Sequence, residues 1–387
     1  MKLSVSLRIM FCGGGTAGHV NPALAIASTI LEKKPDTAVR FVASAQKGDK
    51  ARELVPRAGY DLSTVHIRGM RRPLWSPSNV KTVYLMARSR GEAKKLIREF
   101  RPDLIVGTGG FACWPLLSMG ADMGIPTAVH ESNALPGLAV SRLKNKVDKI
   151  LINFPETEKK LSADDSENRV IRVGNPHMPG FVTWDNSYSR AEARRSLGLG
   201  DGDIYILSFG GSLGSEVLND AVITMADSLI SKHPNVILHH GTGKRDHERS
   251  LEIFKNTEAA GSSRVELLDY IYDMPTRMSA ADIVISRAGA MSVSELALLG
   301  RAAVLVPSPY VADDHQYKNA KALEDAGAGI CVEEKTFSDG ALEKRVSELV
   351  LSKNKRETMG RALQERFACP DANEKIYDEL MKLINKK

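Results

Sequence analysis

Residues 12–22 read Cys12-Gly13-Gly14-Gly15-Thr16-Ala17-Gly18-His19-Val20-Asn21-Pro22. They follow an apolar run, Leu7 to Phe11, that reads as a strand, and they lead into a helical pattern over Ala23 to Leu31. Strand, glycine turn and helix together make an anion-binding unit. The glycines let backbone N–H groups approach a ligand, and a helix N-terminus favours negative charge. Asn21 as N-cap and Pro22 at the first helical position place the helix start. A second such unit lies in the other half of the chain. There the strand Ile204 to Phe209 runs into Gly210-Gly211-Ser212-Leu213-Gly214, which opens a helix carrying Leu218, Ala221, Val222 and Met225. Two units of this kind predict two nucleotide-type domains facing one cleft.

The chain has 387 residues, more than one hydrophobic core usually supports, and its 43% hydrophobic content is ordinary for a globular protein. Two domains are therefore expected. The four cysteines, Cys12, Cys113, Cys331 and Cys369, lack CxxC spacing, which argues against a disulfide framework and a zinc site and for a reducing cytosol. No run of about 18 uncharged apolar residues is present, and residues 1–10 lack a signal peptide's apolar segment, so neither a spanning nor a secreted chain is expected.

Charge is uneven. Residues 1–177 carry 27 Lys and Arg against 16 Asp and Glu, whereas the remainder is net acidic. The densest stretch, residues 66–101, holds ten bases against Glu92 and Glu99, interleaved with Met70, Leu74, Trp75, Val80, Val83, Tyr84, Leu85 and Met86. Apolar groups beside bases suit an interfacial membrane segment. For a basic helix taken alone, a solvated helix with its apolar stripe on the core is the first reading, and no aromatic-rich nucleic-acid motif accompanies the bases.

Short apolar strands alternate with helical stretches, at Val39 to Ala43, Leu104 to Val106, Thr127 to His130, Ile150 to Asn153 and Val170 to Val173. The second half repeats this at Ile204 to Phe209, Val236 to His240, Val265 to Leu268, Ile283 to Ser286, Ala303 to Val306 and Gly329 to Val332. That alternation predicts an α/β chain of two Rossmann-like, doubly wound parallel sheets. Gly174 to Gly180 has the glycine and proline density of a linker. The domains are placed at 1–175 and 176–365, with a helix in 366–387 packing back on the first.

Gly13-x-Gly15-x-x-Gly18 formally matches the dinucleotide fingerprint, but the second strand ends Phe41-Val42-Ala43-Ser44-Ala45 without the acid that would hold a ribose. Ser286-Arg287-Ala288-Gly289-Ala290-Met291-Ser292-Val293-Ser294-Glu295-Leu296 is a further strand, glycine turn and helix start. A carboxylate at Glu295, placed in the first helical turn, can accept from two ribose hydroxyls. Ser292-x-x-Glu295 is equally a capping box that needs no ligand. Asp313-Asp314-His315-Gln316 follows another strand; four consecutive residues suit a metal poorly, and the Gln316 amide suits adjacent sugar hydroxyls.

Taken in order, GGGTAGHVNPALAIA, GTGGFACWP, HESNALPGLA, GGSLG, SRAGAMSVSE and DDHQYKNA make the chain resemble the MurG-type undecaprenyldiphospho-muramoylpentapeptide N-acetylglucosaminyltransferases, of GT-B fold, over roughly residues 8–332. The resemblance implies transfer of N-acetylglucosamine from its uridine diphosphate donor to the C4 hydroxyl of a muramoyl-pentapeptide diphospho-undecaprenol lipid, with inversion, in peptidoglycan synthesis. Related transfer to another lipid and non-catalytic binding of the donor are the alternatives.

The same resemblance puts donor phosphate at Ser212, uracil at Ile271, diphosphate and ribose along Ala290, Met291, Ser292, Val293, Ser294 and Glu295, and the sugar at His315 and Gln316. Thr16, Ala17 and Gly18 close over the donor, and Asn133 contacts the sugar side. Three positions depart from the family pattern: Met178 replaces an arginine, Val140-Ser141 displaces an asparagine, and Leu213 replaces a glutamine. One phosphate or sugar contact is then left for His177 or Arg287. His19 is the expected general base, with an ordinary pKa near 6.5 that suits proton abstraction; His130 with Glu131 is the other candidate. No metal and no cofactor is called for, since glycine-turn N–H groups and helix N-termini can stabilise the leaving diphosphate. Gly109, Gly110 and Phe111 form a third anion turn, assigned together with His130 to the acceptor, and this turn with Trp114 and residues 66–101 favours peripheral attachment to an anionic membrane surface. The expected location is the cytoplasmic face of a bacterial cell membrane, with cell-wall or division machinery as further candidate partners.

Overall fold

The computed structural model describes residues 6–69, 79–162, 168–177, 190–211 and 214–385. The chain forms two compact units, Met1–Pro179 with Cys369–Lys387, and Gly180–Ala368.

The first unit is built on seven parallel strands, β1 (Arg8–Cys12), β2 (Ala38–Ser44), β3 (Asp61–Val65), β4 (Leu104–Gly107), β5 (Thr127–Glu131), β6 (Lys149–Ile152) and β7 (Val170–Arg172), in the order β3-β2-β1-β4-β5-β6-β7. The central strands are apolar runs because both faces of the sheet are covered. Successive side chains alternate between those faces. Ile9 and Phe11 pack with Val20, Leu24 and Ile30 of α1 (Ala17–Lys33), while Met10 and Cys12 pack with Ile97, Leu116 and Leu117 on the opposite side. β3 was not expected from sequence. It is an edge strand in which only Val65 is buried, so its pattern has no apolar run to betray it.

On the first face α1 is joined by α2 (Ala51–Arg57) and by the C-terminal helix, Ala372–Asn385. That helix buries Ile376, Leu380 and Leu383 in the same core, each worth about 1.5–3 kcal/mol. A Lys33–Glu374 ion pair at 2.6 Å is exposed and adds little. The second face carries α3 (Asn79–Phe100), α4 (Cys113–Asp122) and α5 (Leu138–Leu143), and α6 (Pro155–Leu161) follows β6.

Two sequence expectations change here. α1 begins at Ala17 with Thr16 as N-cap, so Asn21 does not cap it and Pro22 lies inside. Pro22 is tolerated because it removes a hydrogen bond only in the second turn, to the carbonyl of exposed Gly18, where water can replace it. The basic α3 is also more self-contained than its composition implied. Thr82, Ser89, Ala93, Ile97 and Phe100 form its buried stripe; Arg88 pairs with Glu92 at 2.8 Å and Arg90 with Asp122 at 2.6 Å. Arg90 lies 5.6 Å over the Trp114 ring, which is partly buried against the core. Val83 and Tyr84 are 58% and 64% exposed. Met70, Leu74 and Trp75 lie outside the described residues.

The second unit has six parallel strands, β8 (Ile204–Phe209), β9 (Val236–Gly241), β10 (Val265–Leu268), β11 (Ile283–Ser286), β12 (Ala302–Leu305) and β13 (Ile330–Cys331), in the order β10-β9-β8-β11-β12-β13. Its helices are α7 (Arg190–Ser196), α8 (Glu216–Lys232), α9 (His247–Phe254), α10 (Met274–Ala280), α11 (Ala290–Leu299), α12 (His315–Asp325), α13 (Ala341–Val350) and α14 (Lys353–Phe367). Leu218, Val222, Met225 and Leu229 of α8 meet Ile206, Leu238 and Val304 of the sheet. α8 opens at Glu216 rather than at the glycine turn, capped by the Ser215 hydroxyl, which accepts from Leu218 N–H at 3.4 Å.

Candidate functional site

In the first unit, two glycine turns at the carboxyl ends of the adjacent strands β1 and β4 pack against each other. Gly109 and Gly110 have φ of 103° and 78°, the left-handed region that glycine adopts without cost. They also have no room for a side chain: a Cβ at Gly110 would collide with the Gly14 carbonyl, and one at Gly109 would meet the His19 ring at 2.5 Å. The Thr108 hydroxyl donates to the His19 carbonyl at 2.6 Å, and His19 Nδ1 lies 3.2 Å from the Thr108 carbonyl. A carbonyl can only accept, so Nδ1 carries the proton and Nε2 is the basic nitrogen. His19 stands in the first turn of α1, beside exposed Thr16 and Gly18 and half-buried Ala17, and the Thr16 side chain caps nothing. Phe111 is half-buried next to Gly15.

Asp49, which the sequence reading missed, holds this turn. Its buried carboxylate accepts from Gly15 N–H at 2.8 Å, Ala51 N–H at 3.0 Å and Ser44 N–H at 3.1 Å. The only advance signal was an acid in the Lys47-Gly48-Asp49-Lys50 turn after a strand that ends beside the glycines.

His130 and Glu131 belong to the interior, which corrects their expected roles in acceptor contact and catalysis. His130 is fully buried, with Nε2 donating to the Gly174 carbonyl at 2.8 Å, and burial drives its pKa down to about 4. Such a ring stays neutral and inward. Glu131 Oε1 accepts from the Asn133 N–H at 3.0 Å and side-chain amide at 3.1 Å, and Oε2 accepts from Gly137 N–H at 2.9 Å. Burial raises its pKa while these bonds lower it. The carboxylate thus shapes the 131–137 loop, and Asn133, half-buried, is held by it.

In the second unit a cleft of about 210 Å³ opens at the carboxyl edge of the sheet, lined by residues including Phe209, Gly211, Tyr270, Ile271, Ser292 and Glu295. Ile271, Ser292 and Glu295 come from two separate segments and meet here. Their local structure differs from the capping-box reading. Gly289, which has no side chain to cap with, is the N-cap of α11, and Glu295 lies in its second turn. Ser292 and Glu295 share a helix face at i, i+3 spacing. Val293 and Ser294 point into the core, with the Ser294 hydroxyl donating to the Ala290 carbonyl at 3.1 Å, so they are not on the cleft wall. Ala290 and Met291 form the first turn. Burial of Glu295 pushes its pKa up to about 8.

Asn219, also missed from sequence, braces the cleft from behind. It is fully buried on α8 and donates to the Thr242 carbonyl at 3.0 Å and to Asp246 at 2.7 Å, while its carbonyl faces His240 Nε2 at 3.0 Å. A polar residue among Leu218, Val222 and Met225 on an apolar helix face was the available signal. At the rim, Lys244 lies over the Tyr270 and Tyr272 rings at 5.7 and 5.5 Å.

Other expectations resolve as follows. Gln316 begins α12 with His315, and its Oε1 accepts from Ser308 N–H at 2.9 Å, so one of its two sugar-reading functions is used internally. His315 Nδ1 is buried without a hydrogen-bond partner among the described residues, and burial lowers its pKa. Neither proposed substitute for the missing family arginine is available. His177 is buried, its backbone N–H donating to Asn373 Oδ1 at 2.7 Å and its Nε2 to the Cys369 carbonyl at 3.0 Å, and Arg287 is spent on Glu334 and Ser215, each at 2.5 Å. Ser212, Leu213 and Met178 lie outside the described residues. Among those described, no three His, Cys, Asp or Glu side chains are grouped to hold a metal ion.

Residues 9–152 match the glycosyltransferase family 28 N-terminal domain and 205–376 its C-terminal domain. The chain is 36% identical, over 98% of its length and 99% of the relative, to a UDP-N-acetylglucosamine–N-acetylmuramyl-(pentapeptide) pyrophosphoryl-undecaprenol N-acetylglucosamine transferase of Acetivibrio thermocellus. It is 33% identical, over 98% and 100%, to a transferase of that name from Bacillus cereus. Among solved structures it is similar to Acinetobacter baumannii MurG, with a TM-score of 0.77, 24% identity and coverage of 97% and 99%, a likeness of fold. At 33% and 36% identity to these two relatives over 98% of its length, the chain belongs to the UDP-N-acetylglucosamine–N-acetylmuramyl-(pentapeptide) pyrophosphoryl-undecaprenol N-acetylglucosamine transferases, within glycosyltransferase family 28.

Proposed function

We propose that the protein transfers N-acetylglucosamine from UDP-N-acetylglucosamine to the C4 hydroxyl of the muramoyl-pentapeptide carried on undecaprenyl diphosphate. The observation that carries this reading is the meeting of Ile271, Ser292 and Glu295 on one cleft, in a chain similar to such transferases end to end. The cleft takes the uridine: Ile271 beside the base, Glu295 accepting from the ribose hydroxyls. The N-terminus of α11, whose N-cap is Gly289, then faces the diphosphate with about half a unit of positive charge.

His19 acts on the acceptor. Its Nε2 takes the C4 hydroxyl proton as that oxygen forms a bond to the sugar's anomeric carbon; the bond from that carbon to the β-phosphate oxygen breaks, and uridine diphosphate leaves with the electron pair. A single displacement of this kind inverts the anomeric centre. Main-chain amides neutralise the leaving group, so no divalent ion is required. The 108–111 turn, next to His19, receives the acceptor's diphosphate. Exposed Val83 and Tyr84 beside the bases of α3 support peripheral attachment to an anionic membrane, on its cytoplasmic face.

The test is turnover of radiolabelled UDP-N-acetylglucosamine with the muramoyl lipid in the presence of a chelator. Labelled disaccharide lipid is the expected product; donor binding without product overturns the reading.

A further inference from the structure

The edge of the second sheet opposite the cleft carries an unbalanced group of arginines. Asp282 immediately precedes β11 and Arg301 immediately precedes β12. Ile283 is paired with Ala302 in register, so Asp282 and Arg301 lie side by side at the amino ends of neighbouring strands, about 4.8 Å apart in backbone. Asp282 is already fully used. Its Oδ1 meets Arg190 Nη2 at 2.5 Å; its Oδ2 meets Arg194 Nη1 at 2.9 Å and accepts from Tyr205 N–H at 2.9 Å. Arg194 also donates to the carbonyls of Ala280, Gly200 and Asp203.

Arg301 receives nothing from this arrangement. It is only partly exposed, its Nε is buried with no acceptor, and its guanidinium makes no hydrogen bond or ion pair among the described residues. Three guanidinium groups therefore surround one carboxylate. Guanidinium is a planar fork whose geometry matches an oxyanion, and a half-buried one normally has a carboxylate or phosphate partner. We propose that Arg301, with Arg190, forms a binding site for a phosphate-class oxyanion at the amino edge of the second sheet, separate from the cleft of Ile271 and Glu295. Burial and the two neighbouring arginines push Arg301 down to about 10, a direction that an anion would reverse.

The full-length chain tests this by thermal unfolding in inorganic phosphate against chloride of equal ionic strength. At about ten times its dissociation constant, phosphate should raise the Tm of the wild type by about 3–5 °C. Arg301→Met, which removes the unpaired charge but keeps the apolar stem, should fold without phosphate and show no phosphate-specific shift. Arg301→Lys should retain a smaller one. A second arm uses sedimentation with vesicles of phosphatidylcholine alone or with phosphatidic acid. Retention on phosphatidic acid that phosphate competes away and Arg301→Met abolishes identifies a lipid headgroup as the source; a phosphate shift without such retention identifies a free anion. Equal behaviour of wild type and Arg301→Met in both arms overturns the proposal.

Discussion

The two units share a strand order around their first strands, β3-β2-β1-β4 in one and β10-β9-β8-β11 in the other, yet they use different turns. In the first, the helix after the leading strand is uncapped and carries His19 in its opening turn. In the second, the equivalent helix is capped by Ser215, and a helix with Gly289 as its N-cap follows the neighbouring strand β11, where Ser292 and Glu295 line the cleft. A topology supplies several glycine turns at one sheet edge. A helix whose N-cap residue supplies no side-chain acceptor can turn its N-terminus to an anion.

The sharpest way to break this comparison is at His19. His19→Ala should lower kcat by about 10² to 10⁴ with uridine diphosphate binding intact, because a base acts only on the acceptor's proton. Measured kcat within threefold of wild type would return His19 to a purely structural part beside Thr108.

Glu295 comes next. Above about pH 8, where the carboxyl is ionised, Glu295→Gln should raise the donor KM about tenfold to a hundredfold, the loss expected for hydrogen bonds to a charged group, while kcat changes little. Wild-type donor affinity should rise with pH towards about 8 as the carboxyl ionises, and the glutamine variant should be flat. Stability runs the other way. A carboxyl raised from 4.5 to about 8 keeps a proton in the folded state that the unfolded chain gives up. Its contribution is complete below 4.5 and is lost as pH climbs to about 8. Denaturant titrations at several pH values check this slope against Glu295→Gln.

Much of this was legible beforehand. Apolar runs buried on both faces announce themselves, so β4, β5, β8 and β11 were found close to their true ends. Helix starts were harder. Asn21-Pro22 and Ser292-x-x-Glu295 are both good starting signals, yet both helices begin upstream of them, with Thr16 and Gly289 as their N-caps. Burial was also hidden: the residues around His130 and Glu131 do not show that Gly174, some forty positions later, closes over the histidine. Asp49 and Asn219 were missed for the related reason that a buried polar group is explained by its partners, which only the fold brings together.

Three smaller effects sharpen the contrast. Glu131→Gln should cost about 1–3 kcal/mol, since an amide cannot accept from Asn133 and Gly137 at both ends. Its kcat per folded molecule should stay within about threefold of wild type, the range of a variant that leaves the reacting groups in place. A kcat loss as large as that of His19→Ala would restore Glu131 as the base. Ser215→Ala should cost about 1 kcal/mol by urea unfolding. Thr16→Ala, at a helix whose cap side chain bonds nothing, should cost less than about 0.5 kcal/mol.

Calorimetric titration of uridine diphosphate into wild type, His19→Ala and Glu295→Gln, above about pH 8 and with a chelator present, tests the division of labour most directly. Wild type and His19→Ala should bind alike, with Glu295→Gln at least tenfold weaker. Loss of binding in His19→Ala with full affinity in Glu295→Gln, or binding in wild type only after magnesium is restored, would contradict it.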